Sequence, residues 1–205
     1  FLYFDKARLM YSDKVGADLR PYIDASREAA NAYFDVSEAA GQLKKGEQLN
    51  LYVQNVQHAL FQAGQIWYSL GSGIKLPEDL QSAIPALKRF VEYSDKGLFA
   101  SSAELTENVE TTLTYIGSSY FELGRMQVGI DSELTEKAIG FFEQGAEGFK
   151  ELVRRFPKAK DAPLWQYQAG ESYYAAQRYP DAIAEYGKVR AIDPKHESAS
   201  ESLYA

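Results

Sequence analysis

The chain has 205 residues, 45% of them hydrophobic and 25% charged, the make-up of a globular protein long enough to bury a substantial core. A formal net charge of −7 opposes binding along a phosphate backbone, which needs clustered Lys and Arg, so nucleic acid is not an expected partner. The absence of Cys excludes a disulfide frame, a thiolate nucleophile, a Cys-ligated zinc site and covalent haem attachment, and no apolar run approaches the ~20 residues of a membrane span.

Leu2, Phe4, Ala7, Leu9 and Met10 make a short amphipathic piece, interrupted over residues 13–17. From Asp18 to Leu43 a three-and-four rhythm through Leu19, Tyr22, Ile23, Ser26, Ala30, Tyr33, Phe34 and Ser37 predicts a helix, with Pro21 in the first turn where its missing N–H is harmless. Lys44-Lys45-Gly46 breaks it. A longer helix is expected from Glu47 to Leu70, stopped by Gly71-Ser72-Gly73, and another restarts at Pro77 with Glu78 and Asp79 in its first turn. Ser101 with Glu104 reads as a capping box opening a helix to Leu123, followed by a loop around Gly129. Leu134 to Phe156 is a further long helix, stopped by Pro157. Asp161 caps a helix through Ala176, Pro180 opens its partner through Ala191, and Asp193-Pro194 starts a last one. No stretch alternates as a strand does. The fold class expected is all-α. A start at Phe1 and a stop at Ala205 inside a new helix read as a segment of a longer protein, one that a signal peptide or lipid anchor could precede.

One pattern organises these helices. Ala63-Gly64-x-x-Trp67-Tyr68, Ile116-Gly117-x-x-Tyr120-Phe121 and Ala169-Gly170-x-x-Tyr173-Tyr174 place glycines at equal intervals of 53 residues. A small residue with a ring one turn on shares a helix face with it, so the glycine admits a second helix while the ring fills the space beside it. Recurrence at a fixed interval predicts stacked helical hairpins, none of which buries its apolar face alone.

The stretch Pro163 to Pro194, with Trp165, Ala169-Gly170, Tyr173, Tyr179, Ala182 and Tyr186, resembles a tetratricopeptide repeat, and Phe149, Leu152 and Pro157 resemble the close of another. The resemblance implies a right-handed solenoid of antiparallel hairpins. The family unit is ~34 residues, so the 53-residue interval calls for longer helices or longer turns in the second and third hairpins. The implied organisation is an N-terminal helical region over 1–46, hairpins over 47–97, 98–160 and 161–194, and the start of a following helix over 195–205. The run Leu152 to Pro157 followed by Gly170 to Tyr174 is similar to bacterial cell-envelope members of the family, such as outer-membrane assembly lipoproteins and Tol-Pal accessory proteins, and tilts the compartment toward the periplasm or envelope.

In such repeats the first helix of each hairpin lines a peptide-holding concave face. Carried over by offset from the three glycines, that face presents His58, Phe61, Gln65 and Tyr68, then Thr111, Thr114, Ser118 and Phe121, then Leu164, Tyr167, Glu171 and Tyr174. Tyr68, Phe121 and Tyr174 form an aromatic column, set against the plainer alternative that they pack on the adjoining helix. The Lys, Arg and Asn clamp that grips a terminal carboxylate in one class of these repeats is missing here. Arg154, Arg155, Lys158 and Lys160 read as a solvated helix end, and His58 and His196 lack a paired ligand motif, so neither a metal nor a cofactor is expected. No nucleophile sits beside a base. The function expected is a non-enzymatic scaffold for a partner protein, peptide or neighbouring subunit in a larger assembly. The alternative is a small-molecule or lipid-binding accessory subunit with a pocket between long helices.

Overall fold

A computed structural model describes residues 20–41, 49–128 and 133–198. Among these the chain is all-α, with seven helices: α1 (Arg20–Gly41), α2 (Leu49–Gly73), α3 (Pro77–Asp95), α4 (Ala103–Met126), α5 (Glu136–Arg155), α6 (Ala162–Ala175) and α7 (Tyr179–Ile192). The short piece before Asp18, the break at Lys44-Lys45-Gly46, the Gly129 loop and the residues after Ser198 lie outside the described residues. Two compact units divide inside the first turn of α4: Phe1–Leu105 and Thr106–Ala205. In the first, α1 packs on α2 and α2 on α3; in the second, α5 packs on α6 and α6 on α7.

The glycines set these pairings. A Cβ on Gly64 would lie 2.3 Å from Leu87, and one on Gly71 would lie 2.4 Å from Leu80. Seven residues forward on α2 are met by seven backward on α3, which is the geometry of an antiparallel hairpin with two helical turns in register. The next hairpin repeats it, with Gly117 against Phe149 at 3.0 Å and Gly124 against Phe142 at 2.6 Å. There both helices carry glycine at the crossing, and Gly145 and Gly148 on α5 bring the backbone of Gly117 within 3.3 and 3.0 Å of their own missing Cβ positions. In the third hairpin Gly170 meets Tyr186 at 2.5 Å.

This pairing corrects three helix boundaries. Gly71 does not end α2. It is buried against Leu80, the helix runs through Gly73, and the left-handed residue that closes it is Lys75 (φ 59°), with the Leu76 N–H bonded back to the Gly71 carbonyl at 3.1 Å. Likewise α4 continues past Leu123 to Met126, since Gly124 is a packing position. The cap of α4 is Ser102, one place after the Ser101 expected: its Oγ accepts the Leu105 N–H at 2.9 Å, and Leu105 holds the position a capping-box Glu would need. Thr135 caps α5 in the same way, through Ala138 at 3.1 Å. Asp161 does precede α6, but its carbonyl rather than its side chain carries the contact, to the Trp165 N–H at 3.0 Å.

The core of the first unit is filled by Leu60, Leu80, Leu87 and Phe90, all fully buried. Phe90 stacks between Phe61 and Phe99, with centroids 5.7 and 5.3 Å away. In the second unit Ala146, Tyr173, Ala182 and Tyr186 form one cluster and Ala138, Phe142 and Ala176 another, so α5 presents apolar surface to α6 and α7 as well as to α4.

Candidate functional site

Each glycine is followed by two rings that go to different places. Trp67, Tyr120 and Tyr173, three positions on, are 5%, 8% and 7% exposed, so the inner ring of each pair belongs to the core. Tyr68 and Phe121, four positions on, are half-buried, and Tyr174 is 52% exposed. A shift of one residue turns a side chain by about 100° around the helix, enough to carry it off the buried stripe.

On α2, His58 is exposed and stands edge-on to Tyr33 of α1, with centroids 6.1 Å apart. Phe61 leans on Phe90, while Gln65 and Tyr68 are half-buried on the same face. On α4, Thr114 donates to the Glu110 carbonyl at 3.0 Å, Thr111 and Ser118 are half-buried, and Phe121 rests on Phe142 with centroids 5.5 Å apart. On α6, Leu164, Tyr167 and Glu171 are half-buried beside the exposed Tyr174. Phe61 and Phe121 therefore spend much of their surface on their own hairpin, whereas Tyr174 keeps half of its surface open.

The face of α6 is the most developed. Tyr167 lies against Tyr186 of α7 (5.5 Å, 41° between planes), and Tyr174 meets Tyr179 edge-on (5.4 Å, 63°). Between them the Tyr186 hydroxyl donates to the Glu171 carboxylate. Burial raises the Tyr186 phenol far above its ordinary value and the neighbouring carboxylate adds to that, so this hydroxyl remains a donor at any physiological pH. Tyr179 (49% exposed) and Ile183 (68% exposed) extend the apolar surface along α7, the second helix of the hairpin, which the offset from the glycines does not reach.

On another side of the same hairpin, Glu147, Lys150, Glu151, Val153, Arg154, Gln166, Glu185 and Lys188 line a cavity of about 340 Å³. Gln166 and Glu185 are buried at its floor, bonded to each other at 2.5 Å, and Lys188 closes on Glu185 at 2.8 Å. Lys150 bridges Glu147 (2.7 Å) and the Tyr173 hydroxyl (3.2 Å), and its ammonium lies 5.5 Å from the Tyr173 ring centroid. Burial alone would lower the Lys150 pKa; the bonds to Glu147 and Tyr173 outweigh it and the net shift is upward. Glu151 holds Arg154 and Arg155, each at 2.6 Å, which places half of the expected basic cluster in ion pairs. Lys158 and Lys160 border a second cavity, of about 740 Å³, together with Lys195 and His196. Both cavities are lined by charged groups, a setting for water and ions rather than for an apolar molecule. No group of three His, Cys, Asp or Glu positioned for a metal ion occurs among the described residues, nor, among them, is any helix long and apolar enough to cross a membrane.

Comparison with known proteins places one part of the chain. Residues 166–196 match the tetratricopeptide repeat family. Among solved structures the chain is similar to a de novo designed helical repeat protein, at 14% identity and a TM-score of 0.41, over 94% of this chain and 95% of that one. No curated protein matches it.

Proposed function

We propose that this chain, whose residues 166–196 match the tetratricopeptide repeat family, is a non-enzymatic interaction module that holds a partner protein or peptide on the helix faces carrying Tyr68, Phe121 and Tyr174. The observation that supports this most is the division of labour within each ring pair. The inner rings fill the core, the outer rings Tyr68 and Phe121 are only half-buried, and Tyr174 stands 52% exposed with Tyr179 behind it. Large amphipathic rings held by neighbours lose little entropy on binding, which suits them to anchor a partner. In the first unit His58, Phe61 and Gln65 extend the proposed face of Tyr68; in the second, Thr114 and Ser118 extend that of Phe121, and Leu164, Tyr167 and Glu171 that of Tyr174. The two cavities beside the third hairpin are lined mostly by charged side chains, which favours a protein or peptide over a lipid at that hairpin.

The test is capture of a partner from a lysate of the native organism by the immobilised chain. Replacing Tyr68 and Tyr174 by Ala is expected to remove the captured protein while the far-ultraviolet circular dichroism stays unchanged, since neither ring is in the core. Undiminished capture by the double variant would exclude this face.

A further inference from the structure

Glu171 is bonded differently from four other glutamates of its unit. Arg178 sits on Glu143 at 2.5 Å, Lys150 on Glu147 at 2.7 Å, Arg154 on Glu151 at 2.6 Å and Lys188 on Glu185 at 2.8 Å. The partner of Glu171 is instead a tyrosine hydroxyl, which orients the carboxylate and leaves its charge in place. That bond occupies one of about four acceptor positions on a carboxylate, and the residue is half-buried rather than closed off. Arg178, the cation in the neighbouring turn, is already held by Glu143 and by Asp181 at 2.7 Å.

The rings around Glu171 have a matching geometry. Tyr167, Glu171 and Tyr174 fall at i, i+4 and i+7 of α6, one above another on a single face. An oriented carboxylate between two tyrosines is the arrangement that receives an ammonium or guanidinium: the acid supplies charge and hydrogen-bond acceptors, and the electron-rich ring faces supply cation–π attraction. Tyr186 holds the carboxylate, and Tyr179, edge-on to Tyr174, supports the outer ring. The chain's net charge of −7 adds long-range attraction of the same sign.

We propose that Tyr167, Glu171 and Tyr174 form a receiving site for a cationic side chain, an Arg or Lys presented by a basic segment of the partner protein, with Tyr186 as a positioning residue. This deepens the reading of the face given above and rests on it. Guanidinium is the better fit, because it can stack on a tyrosine while donating two hydrogen bonds to the carboxylate.

The experiment uses the full chain and three fluorescein-labelled, acetylated and amidated nonapeptides, identical except at two positions flanking a phenylalanine, which hold arginine, the neutral isostere citrulline, or glutamate. Fluorescence anisotropy in low salt is expected to show the arginine peptide binding at least tenfold more tightly than the citrulline peptide, and the glutamate peptide most weakly. Glu171→Gln, which keeps an acceptor for the Tyr186 hydroxyl, is expected to reduce the preference for arginine over citrulline to less than twofold. Tyr186→Phe is expected to reduce the same ratio. Equal binding of arginine and citrulline peptides, with both lost in Tyr174→Ala, would overturn the cation site and leave the aromatic face standing. Arginine binding unchanged in both Glu171→Gln and Tyr174→Ala would overturn the location. Absence of binding by all three peptides would overturn this inference, while the face itself is judged by the capture experiment.

Discussion

Arg27 of α1 donates to both carboxylate oxygens of Asp79, at 2.8 and 2.7 Å, and to Glu78 at 2.9 Å. The Asp79 side chain is 4% exposed and Arg27 is 32% exposed, so the pair joins a buried acid in the first turn of α3 to a half-covered cation on another helix. The hydrogen bonds to Asp79 are the main reason the Arg27 pKa is raised, and they outweigh the effect of burial. Removing one partner of such a pair strands the other. Arg27→Met is therefore expected to cost about 2–3 kcal/mol in urea unfolding, less than for a fully enclosed pair because solvent reaches the guanidinium. Adding Asp79→Leu should recover part of that loss, and a double variant that loses the sum of the two single effects would show that the two side chains act independently. A second residue-scale effect concerns acid. The Arg154 guanidinium holds the Glu151 carboxyl down at about 2, with Arg155 adding to it against the opposing effect of burial, whereas a free glutamate titrates at about 4.3. The folded value lies below the unfolded one, so the stabilisation is complete above about pH 4.3 and is lost as pH falls toward 2. Arg154 is 68% exposed, which limits the contribution to under about 1 kcal/mol. Glu151→Gln should flatten the stability profile by that amount between pH 4.5 and 2 and leave its slope between pH 6 and 8 unchanged.

Hairpin packing turns on which glycines face a partner. A Cβ on Gly124 would lie 2.6 Å from the Phe142 ring and one on Gly170 would lie 2.5 Å from the Tyr186 ring, while a Cβ on Gly140 or Gly187 would meet nothing within 4 Å. Alanine is favoured over glycine in a helix by about 1 kcal/mol, but forcing a methyl into a packed interface costs about 1–3 kcal/mol. Gly140→Ala and Gly187→Ala are thus expected to raise stability by about 0.5–1 kcal/mol, and Gly124→Ala and Gly170→Ala to lower it by about 1–2 kcal/mol. The melting temperatures of four single variants check the opposite signs. Much of this was legible in the sequence, because an apolar-Gly-x-x-ring pattern announces both the close approach and the buried ring. The partner across each hairpin was not. Leu87, Phe149 and Tyr186 come 23, 32 and 16 residues after their glycines, since that offset depends on how far the helices run beyond the glycine and on the length of the turn. Equal spacing between glycines hid unequal hairpins. Gly71 is ambiguous for a related reason: a glycine before Ser-Gly looks like a stop, and Leu80 opposite makes it a contact. The same turn geometry separates the outer rings, since Phe121 lies inside a long hairpin and finds Phe142, whereas Tyr174 sits at the end of a short one and meets Tyr179 edge-on. A Glu-by-Tyr pair such as Glu171 and Tyr186 spans two helices and leaves no trace in local spacing.

Among the described residues, packing runs mainly between helices adjacent in sequence: α1 with α2, α2 with α3, α5 with α6 and α6 with α7, and α4 with α5 through Gly117 and Gly124. Where contacts are of this kind, stability is close to a sum of local and nearest-neighbour contributions, and damage at one hairpin spreads mainly to the elements that touch it. Gly64→Ala drives a methyl toward Leu87, and Gly170→Ala drives one toward the Tyr186 ring, so the two lesions are alike in kind and lie in different compact units. Native-state amide hydrogen exchange read by mass spectrometry should separate them. For Gly64→Ala the gain in exchange is expected in peptides from α2 and α3. For Gly170→Ala it is expected in α6 and α7, with a smaller gain in α5, whose Ala146 shares a cluster with Tyr173 and Tyr186. Equal gains in every helix for both variants would mean that the chain opens as one cooperative body, and the additive description of its stability would then be wrong.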